Sequence, residues 1–356
     1  MPPESSLSAF FLKKGATVGP LDGQQVVLAF PGDELRVPTH DGGPTLVIPW
    51  SHRGRIRASG SDRIKFLQGQ CTQDLSHRPR FFGGHSFMLE AKGRVIADPR
   101  ILITDEAVLL EVPGSTTDEL LARLQRFVIA ADVQIEDVRN EYEQVLIVGN
   151  GVNALAAACQ VALPESEDHG VVVDGGEIWV RDGSTRFPGV RIWLPKDIAL
   201  RRVLALSSLS AAPLGFAGLK HWHHLRVDRG CPWFGREIDG TTLPVEVGLM
   251  ETTVSLTKGC YCGQEVVARQ HYLGKPRRRL VILESGDRVD LQVGMEVLGA
   301  DGKLLGRITS ARPHSTAHSS RAMAVLKGSE HSVGQEYTAR QGESDGLVRV
   351  VAVDIP

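Results

Sequence analysis

Lys258-Gly259-Cys260-Tyr261-Cys262-Gly263-Gln264-Glu265 is the densest constellation of reactive and conformationally special residues in this chain of 356. Two glycines around a cysteine permit a tight turn, because glycine takes positive φ without steric cost. Gln264 to Arg269 suits a helix, which places Cys260 just before a helix N-terminus. There the partial positive charge of unpaired amides and the Lys258 ammonium both favour a thiolate. The alternative is an inert buried cysteine, the commoner fate of this residue type. Glycine flanks and a polar Lys-Gly-Cys context weigh against it. Cys262 shares a face with Cys260 if the segment is extended and diverges from it on a helix.

Downstream, after Gly274-Lys275-Pro276, short strand candidates follow one another: Arg279 to Leu283, Glu296 to Leu298, Leu304 to Ile308, Ala322 to Leu326 and Leu347 to Val353. Asp301-Gly302 marks a tight hairpin turn, and a small β-barrel over 277–356 is expected. Upstream, Ala107 to Val112 and Gln144 to Val148 read as buried strands. Between them Thr116 and Glu119 predict a capping box, followed by Leu120, Leu121, Leu124, Phe127 and Val128 at helical spacing. Asp174-Gly175-Gly176 predicts a hairpin between Val171 to Val173 and Ile178 to Val180, and Gly189 to Leu194 another strand. Ser61-Asp62-Arg63 predicts the start of a short helix. Residues 1–45 read as an irregular entry segment with short strands at Val26 to Phe30 and, just beyond it, Leu46 to Ile48. The hairpin signals make the class α+β, not a doubly wound parallel sheet.

Composition narrows the function classes. Hydrophobic residues at 42% and charged residues at 23% are those of an ordinary globular chain. A formal net charge of −2 gives no general attraction to nucleic acid or to an anionic membrane. No apolar run approaches the ~20 residues of a membrane span, and no leader is evident, so a cytoplasmic location is expected. Five cysteines, Cys71, Cys159, Cys231, Cys260 and Cys262, argue for reduced thiols and against a disulfide framework. Cys-x-Cys lacks the paired spacing of structural zinc, so no metal ligands are assigned, although a thiolate suits transient contact with iron or an iron–sulfur cluster.

A second constellation is Lys220-His221-Trp222-His223-His224-Leu225-Arg226. On a helix Trp222 and Arg226 lie four apart on one face, an aromatic plane beside a guanidinium that suits a flat heterocycle bearing carboxylates. A core Trp with a surface Arg is the alternative that spacing alone favours. The three histidines are expected to be structural. Ala91-Lys92-Gly93-Arg94 is a basic turn that suits either solvent or an anionic tail.

The 258–265 stretch has the form Lys-Gly-Cys-Tyr-x-Gly-Gln-Glu, the signature of YgfZ-type proteins. These are the folate-binding, iron–sulfur maturation branch of the glycine-cleavage T-protein superfamily, which the chain resembles. Gly60-Ser61-Asp62 through Thr72-Gln73-Asp74, Lys92 through Asp98, Leu225 through Gly230, Leu243-Pro244-Val245-Glu246 and Gly306 through Ser310 extend the resemblance from about residue 48 to the end. It implies a three-lobed, cloverleaf-like α+β fold: a folate-binding region over 46–272 made of two lobes discontinuous in sequence, and the C-terminal barrel. Cys260 would lie near a central folate pocket. Gly259, Tyr261, Gly263, Gln264 and Glu265 would shape the turn, and Lys258 would assist the thiol.

Trp222, Arg226, Asp98 and Arg191 are the positions the resemblance assigns to folate contact. Two departures separate the chain from T-protein aminomethyltransferases. Asp98 stands alone where they carry paired Asp, and Arg191 and Trp222 replace a folate-contacting Glu and Arg. A cationic Arg191 cannot accept the pterin's donor hydrogens. The resemblance therefore implies a factor dependent on tetrahydrofolate or a one-carbon derivative that supports synthesis or repair of iron–sulfur clusters. Its partners would be client enzymes or assembly proteins, with no nucleic acid and no membrane, and it would act as a monomer. The rival is a folate-dependent aminomethyl- or methyltransferase, so whether the chain is an enzyme stays open.

Overall fold

The structure is a computed structural model that describes residues 6–21, 24–32, 43–172, 175–185, 187–209, 213–286, 289–313, 319–342 and 344–353. The chain forms two compact units, each assembled from segments distant in sequence. The first takes the chain up to Leu67, then Leu75–His85 and Pro99–Trp222; the second takes Gln68–Asp74, Ser86–Asp98 and the chain from His223 onward.

The first unit stacks a six-stranded and a five-stranded sheet. The six-stranded sheet runs, in spatial order, Gly170–Val172, Ile178–Asp182, Gly189–Pro195, Tyr142–Val148, Thr45–Pro49 and Leu214–Phe216, antiparallel except for the last pair. Alternation along its central strands decides what each face meets. Val145, Ile147, Val190, Ile192 and Leu194 join a core with residues of the helices Leu7–Lys13, Val152–Ala158 and Ala199–Ser207. Trp193, Ile178 and Val180 point the other way and pack on Leu102 and Leu109 of the five-stranded sheet. That sheet runs Gln134–Asp137, Gly54–Ser59, Ala107–Val112, Arg100–Ile103 and Gly83–His85. Fully burying one such aliphatic side chain stabilises the unit by about 1.5–3 kcal/mol.

In the second unit the expected barrel is present and closed. It joins Arg278–Ser285, Arg321–Lys327, Leu304–Arg312, Glu296–Leu298, Glu336–Gln341 and Ser344–Val353. Val281, Leu283, Val297, Ile308, Ala324 and Val350 fill its interior. Ahead of the barrel lie the two-stranded ribbon Met88–Leu89 with Val95–Ala97 and the helix Gln264–Leu273.

Several local expectations need correction. The entry segment is not irregular throughout: Leu7–Lys13 is a helix whose Ser6 hydroxyl accepts from the Ala9 amide at 3.1 Å, and Leu7 and Phe11 lie in the core. Thr116 does not form a capping box, because a 3₁₀ turn over Gly114–Thr116 runs directly into the helix Thr117–Phe127. Its hydroxyl instead donates back to the Pro113 carbonyl. Phe127 ends exposed, covered by the guanidinium groups of Arg123 and Arg126. The 171–180 hairpin pairs as expected, while Val173 and Asp174 lie outside the described residues.

Candidate functional site

The signature segment sits in the second unit between two other stretches that carried the family resemblance. Its base is Lys258, which is buried. The ammonium donates to the carbonyls of Gln68, Cys71 and Gln73, each at 2.7 Å. An ammonium has three N–H donors, so all are spent. The cation also stands 5.2 Å from the Tyr261 ring centre, over its face. Burial lowers the Lys258 pKa from its ordinary value, against the pull of Cys71 and Asp74. The backbone follows the same anchoring: Lys258 N–H donates to Ser255 Oγ at 3.2 Å, Ser255 N–H to the Thr72 carbonyl at 2.9 Å, and Thr72 Oγ1 to the Thr253 carbonyl at 2.6 Å.

The other side of the segment is held by glycines. Gly263, at φ +82°, precedes the helix that begins at Gln264. A Cβ there would stand 2.7 Å from the Glu90 carbonyl oxygen and 3.1 Å from Gly93 Cα. Gly93, at φ +76°, returns the contact: its Cβ would reach 2.9 Å from Val266 Cβ. The basic turn at 91–94 thus packs its backbone on the start of the signature helix, and both glycines are required by close approach as well as by φ. Tyr261 and Val267 plug the segment into a core with Phe87, Leu89, Val95 and Val254. Burial, with Cys71 adding to it, pushes the Tyr261 phenol up to about 12.

Between these anchors Gly259 and Cys260 are exposed, and a Cβ on Gly259 would meet nothing within 4 Å. Cys262 is partly buried. Gln264 is partly buried and Glu265 exposed on the first turn of the helix. The expected position of Cys260 ahead of a helix start is observed. The Lys258 ammonium, its three donors spent on backbone carbonyls, makes no hydrogen bond to the thiol. Cys71, which no sequence signal marked, is the cysteine beside Lys258. It is fully buried, and burial pushes its thiol up while Lys258 opposes. Among the described residues no group of three or more His, Cys, Asp and Glu is arranged to hold a metal.

The residues assigned to folate contact are placed differently. Arg226 is fully buried in the second unit and donates to His223 Nδ1 at 2.8 Å, the Cys231 carbonyl at 2.9 Å, Glu237 at 3.0 Å and the Ser310 hydroxyl. It is neither a surface residue nor a free cation. Asp98, in the same unit, is buried beside the ribbon strand Val95–Ala97. Trp222 ends the first unit's share of the helix Leu219–Arg229, fully buried, its ring edge-on to Trp50 at 4.8 Å between centres.

Arg191, in the first unit, projects between the two sheets into a cluster of carboxylates. It pairs with Glu111 at 3.2 Å, Asp182 at 2.9 Å and Asp168. Arg53 pairs with Glu111 at 3.4 Å and Arg100 with Asp168 at 2.6 Å. Burial pushes Glu111 up, but Arg191, Arg53 and Arg100 outweigh it and pull the carboxyl down to about 2. Asp168 is brought to about 2 in the same way, burial being overcome by Arg100 and Arg191. Arg191 and Arg226 are thus both paired with groups of the protein itself.

Known proteins place the chain in context. No family model matches it. It is 27% identical over 339 residues to a putative transferase, At1g60990, of Arabidopsis thaliana, described as chloroplastic; the match covers 94% of this chain and 76% of that protein. It is 29% identical over 248 residues to the tRNA-modifying protein YgfZ of Colwellia psychrerythraea, covering 68% of this chain and 72% of the relative. The glycine cleavage system aminomethyltransferase T of Bartonella henselae superposes with a TM-score of 0.88 at 19% identity, over 98% of this chain and 97% of that one. The resemblance to YgfZ-type proteins and the T-protein fold, with its C-terminal barrel, are therefore borne out. No helix among the described residues is long and apolar enough to cross a membrane. A chloroplastic relative leaves the compartment unfixed.

Proposed function

We propose that the chain is a factor of the T-protein fold that supports synthesis or repair of iron–sulfur clusters in client enzymes, with Cys260 as its working group. The observation that carries this reading is the contrast within the signature segment. Lys258, Tyr261 and Gly263 are buried or wedged and hold the backbone, while Cys260, the exposed one of the segment's two thiols, is left in reach of another molecule. A thiol on a rigid, accessible loop can act as a nucleophile toward a mixed disulfide or as one ligand of a cluster whose other ligands belong to a client. Cluster iron is then cargo. The Lys258 ammonium positions the loop and does not serve as the partner of the thiolate.

Tetrahydrofolate or a one-carbon derivative belongs to this reading through the fold and the YgfZ-type resemblance. Of the four positions assigned to it, Arg191 and Arg226 spend their guanidinium groups on protein partners, while Asp98 and Trp222 stay candidates for its contacts. The two arginines are scaffold in this reading, and no chemical step is routed through the folate. The cytoplasm and a monomeric state remain part of the proposal.

The test is complementation. In a host lacking its own factor, cluster-dependent radical and dehydratase enzymes are assayed with wild type or with equally expressed Cys260→Ser. Restoration by wild type and not by the variant is the expected result; equal restoration by both would remove Cys260 from the mechanism. The transferase name of the Arabidopsis relative and the aminomethyltransferase fold match favour one rival, a folate-dependent aminomethyltransferase. That rival requires methylenetetrahydrofolate to form from an aminomethylated lipoyl carrier, and it is indifferent to Cys260→Ser.

A further inference from the structure

A cleft of about 320 Å³ opens in the first unit, away from the signature segment. Its volume is at the lower end of what small-molecule sites use. One end is apolar, formed by Leu7 and Phe11 of the first helix, Val26 and Val27 of the strand Gln24–Ala29, and Pro49. The other end is polar and charged, formed by Arg55, Ser51, His52 and Glu143.

Arg55 is 3% exposed, and desolvation works against its charge. Its guanidinium donates to Gln144 Oε1 at 3.3 Å and to the Arg139 carbonyl at 3.0 Å. Its buried Nε–H has no hydrogen-bond partner, a vacancy that costs free energy unless something fills it. Glu143 is the carboxylate that acts most strongly on Arg55, and Ser51 donates to its Oε2. The charged end therefore holds one cation and one anion at close quarters. A ligand carrying a single charge would meet attraction from one and repulsion from the other. A compact dipolar ligand satisfies both.

We propose that this cleft binds a free α-amino acid with an apolar side chain, its carboxylate on Arg55, its ammonium on Glu143 and its side chain between Leu7, Phe11 and Val27. The recognition is by charge pairing and shape, with no covalent step.

Calorimetric titration of the full chain with L-leucine, 4-methylpentanoate and isoamylamine tests it. 4-Methylpentanoate keeps the carboxylate and apolar tail, and isoamylamine keeps the amine and tail. L-leucine is expected to bind, and each half-ligand to bind about tenfold more weakly or worse, the scale of one lost charge-assisted hydrogen bond. Arg55→Gln is expected to weaken leucine to the same degree. Because Arg55 is buried and its variant could fail to fold, Ser8→Trp provides the second reading: Ser8 is exposed on the first helix and lines the cleft, so the indole fills the space without touching the core. Loss of leucine binding in Ser8→Trp supports the site. No binding of leucine to wild type at millimolar concentration, binding of 4-methylpentanoate equal to leucine, or leucine binding unchanged in Ser8→Trp would each overturn the proposal. None of these outcomes depends on the role of Cys260.

Discussion

Two buried cations organise the two units, and they are neutralised by different means. In the first unit Arg191 faces three carboxylates, of Glu111, Asp168 and Asp182. In the second, Lys258 faces three backbone carbonyls. Full countercharges bind a cation strongly, but they must themselves be desolvated and they titrate. Carbonyl dipoles carry no net charge and do not titrate. The difference teaches that one centre is a stability element exposed to acid, while the other is a positioning device whose strength is set by geometry.

Removing the cation should separate the two most sharply. Arg191→Met removes the cation that three buried carboxylates share, leaving Glu111 with Arg53 and Asp168 with Arg100 as ion-pair partners, and a urea titration at neutral pH should show a loss of about 3–5 kcal/mol. Lys258→Met strands only dipoles, some of which water can reach, and should cost less, about 1–3 kcal/mol. An equal or reversed order would break the comparison.

Acid sharpens it. Glu111 and Asp168 titrate near 2 in the folded chain, below their ordinary 4.5 and 3.8. The unfolded chain therefore binds more protons between pH about 2 and 4.5, so wild-type stability should fall as pH falls through that window. In Arg191→Met Glu111 loses its strongest cationic partner and Asp168 the one second to Arg100, so the acid slope should flatten. For Lys258 the sign differs in consequence: its folded pKa lies below 10.5, so the cost of burying its charge is relieved as pH rises toward that value, and acid leaves it untouched. Urea midpoints of wild type and both variants across pH check both statements.

The smallest stability effect belongs to Cys260→Ser. The side chain is exposed and unanchored, so thermal unfolding should move by no more than about 0.5 kcal/mol, while rescue of cluster-dependent enzymes should be lost. Function without stability at 260, and stability as the primary effect at 258, is the pattern that the signature segment predicts.

The sequence made the architecture legible where chemistry is local. Five of the six barrel strands announced themselves as short runs between turn residues such as Asp301-Gly302, Glu336–Gln341 being the one that did not, and of the two glycines flanking Cys260 it is Gly263 that takes the positive φ. The helix Leu7–Lys13 was missed because Phe10-Phe11-Leu12 blurs its apolar stripe; Ser6 as a cap was the available signal. Partners distant in sequence were beyond reach. Glu111 lies 80 residues and Asp168 lies 23 residues from Arg191, and nothing local distinguishes such an arginine from one that greets a ligand. Arg226 was misread for the same reason, its carboxylate standing at Glu237 and its hydroxyl acceptor at Ser310. The Lys258 cage left no trace at all, since carbonyls carry no residue identity.

Viewed as coordination chemistry, those three oxygens are half a shell for a monovalent cation, and the chain brings the ion on its own tether. Nothing need be recruited from solution to set the loop, and a buried ion with fixed oxygens is little screened by added salt. The reach of Cys260 should therefore be the same in dilute and in concentrated electrolyte.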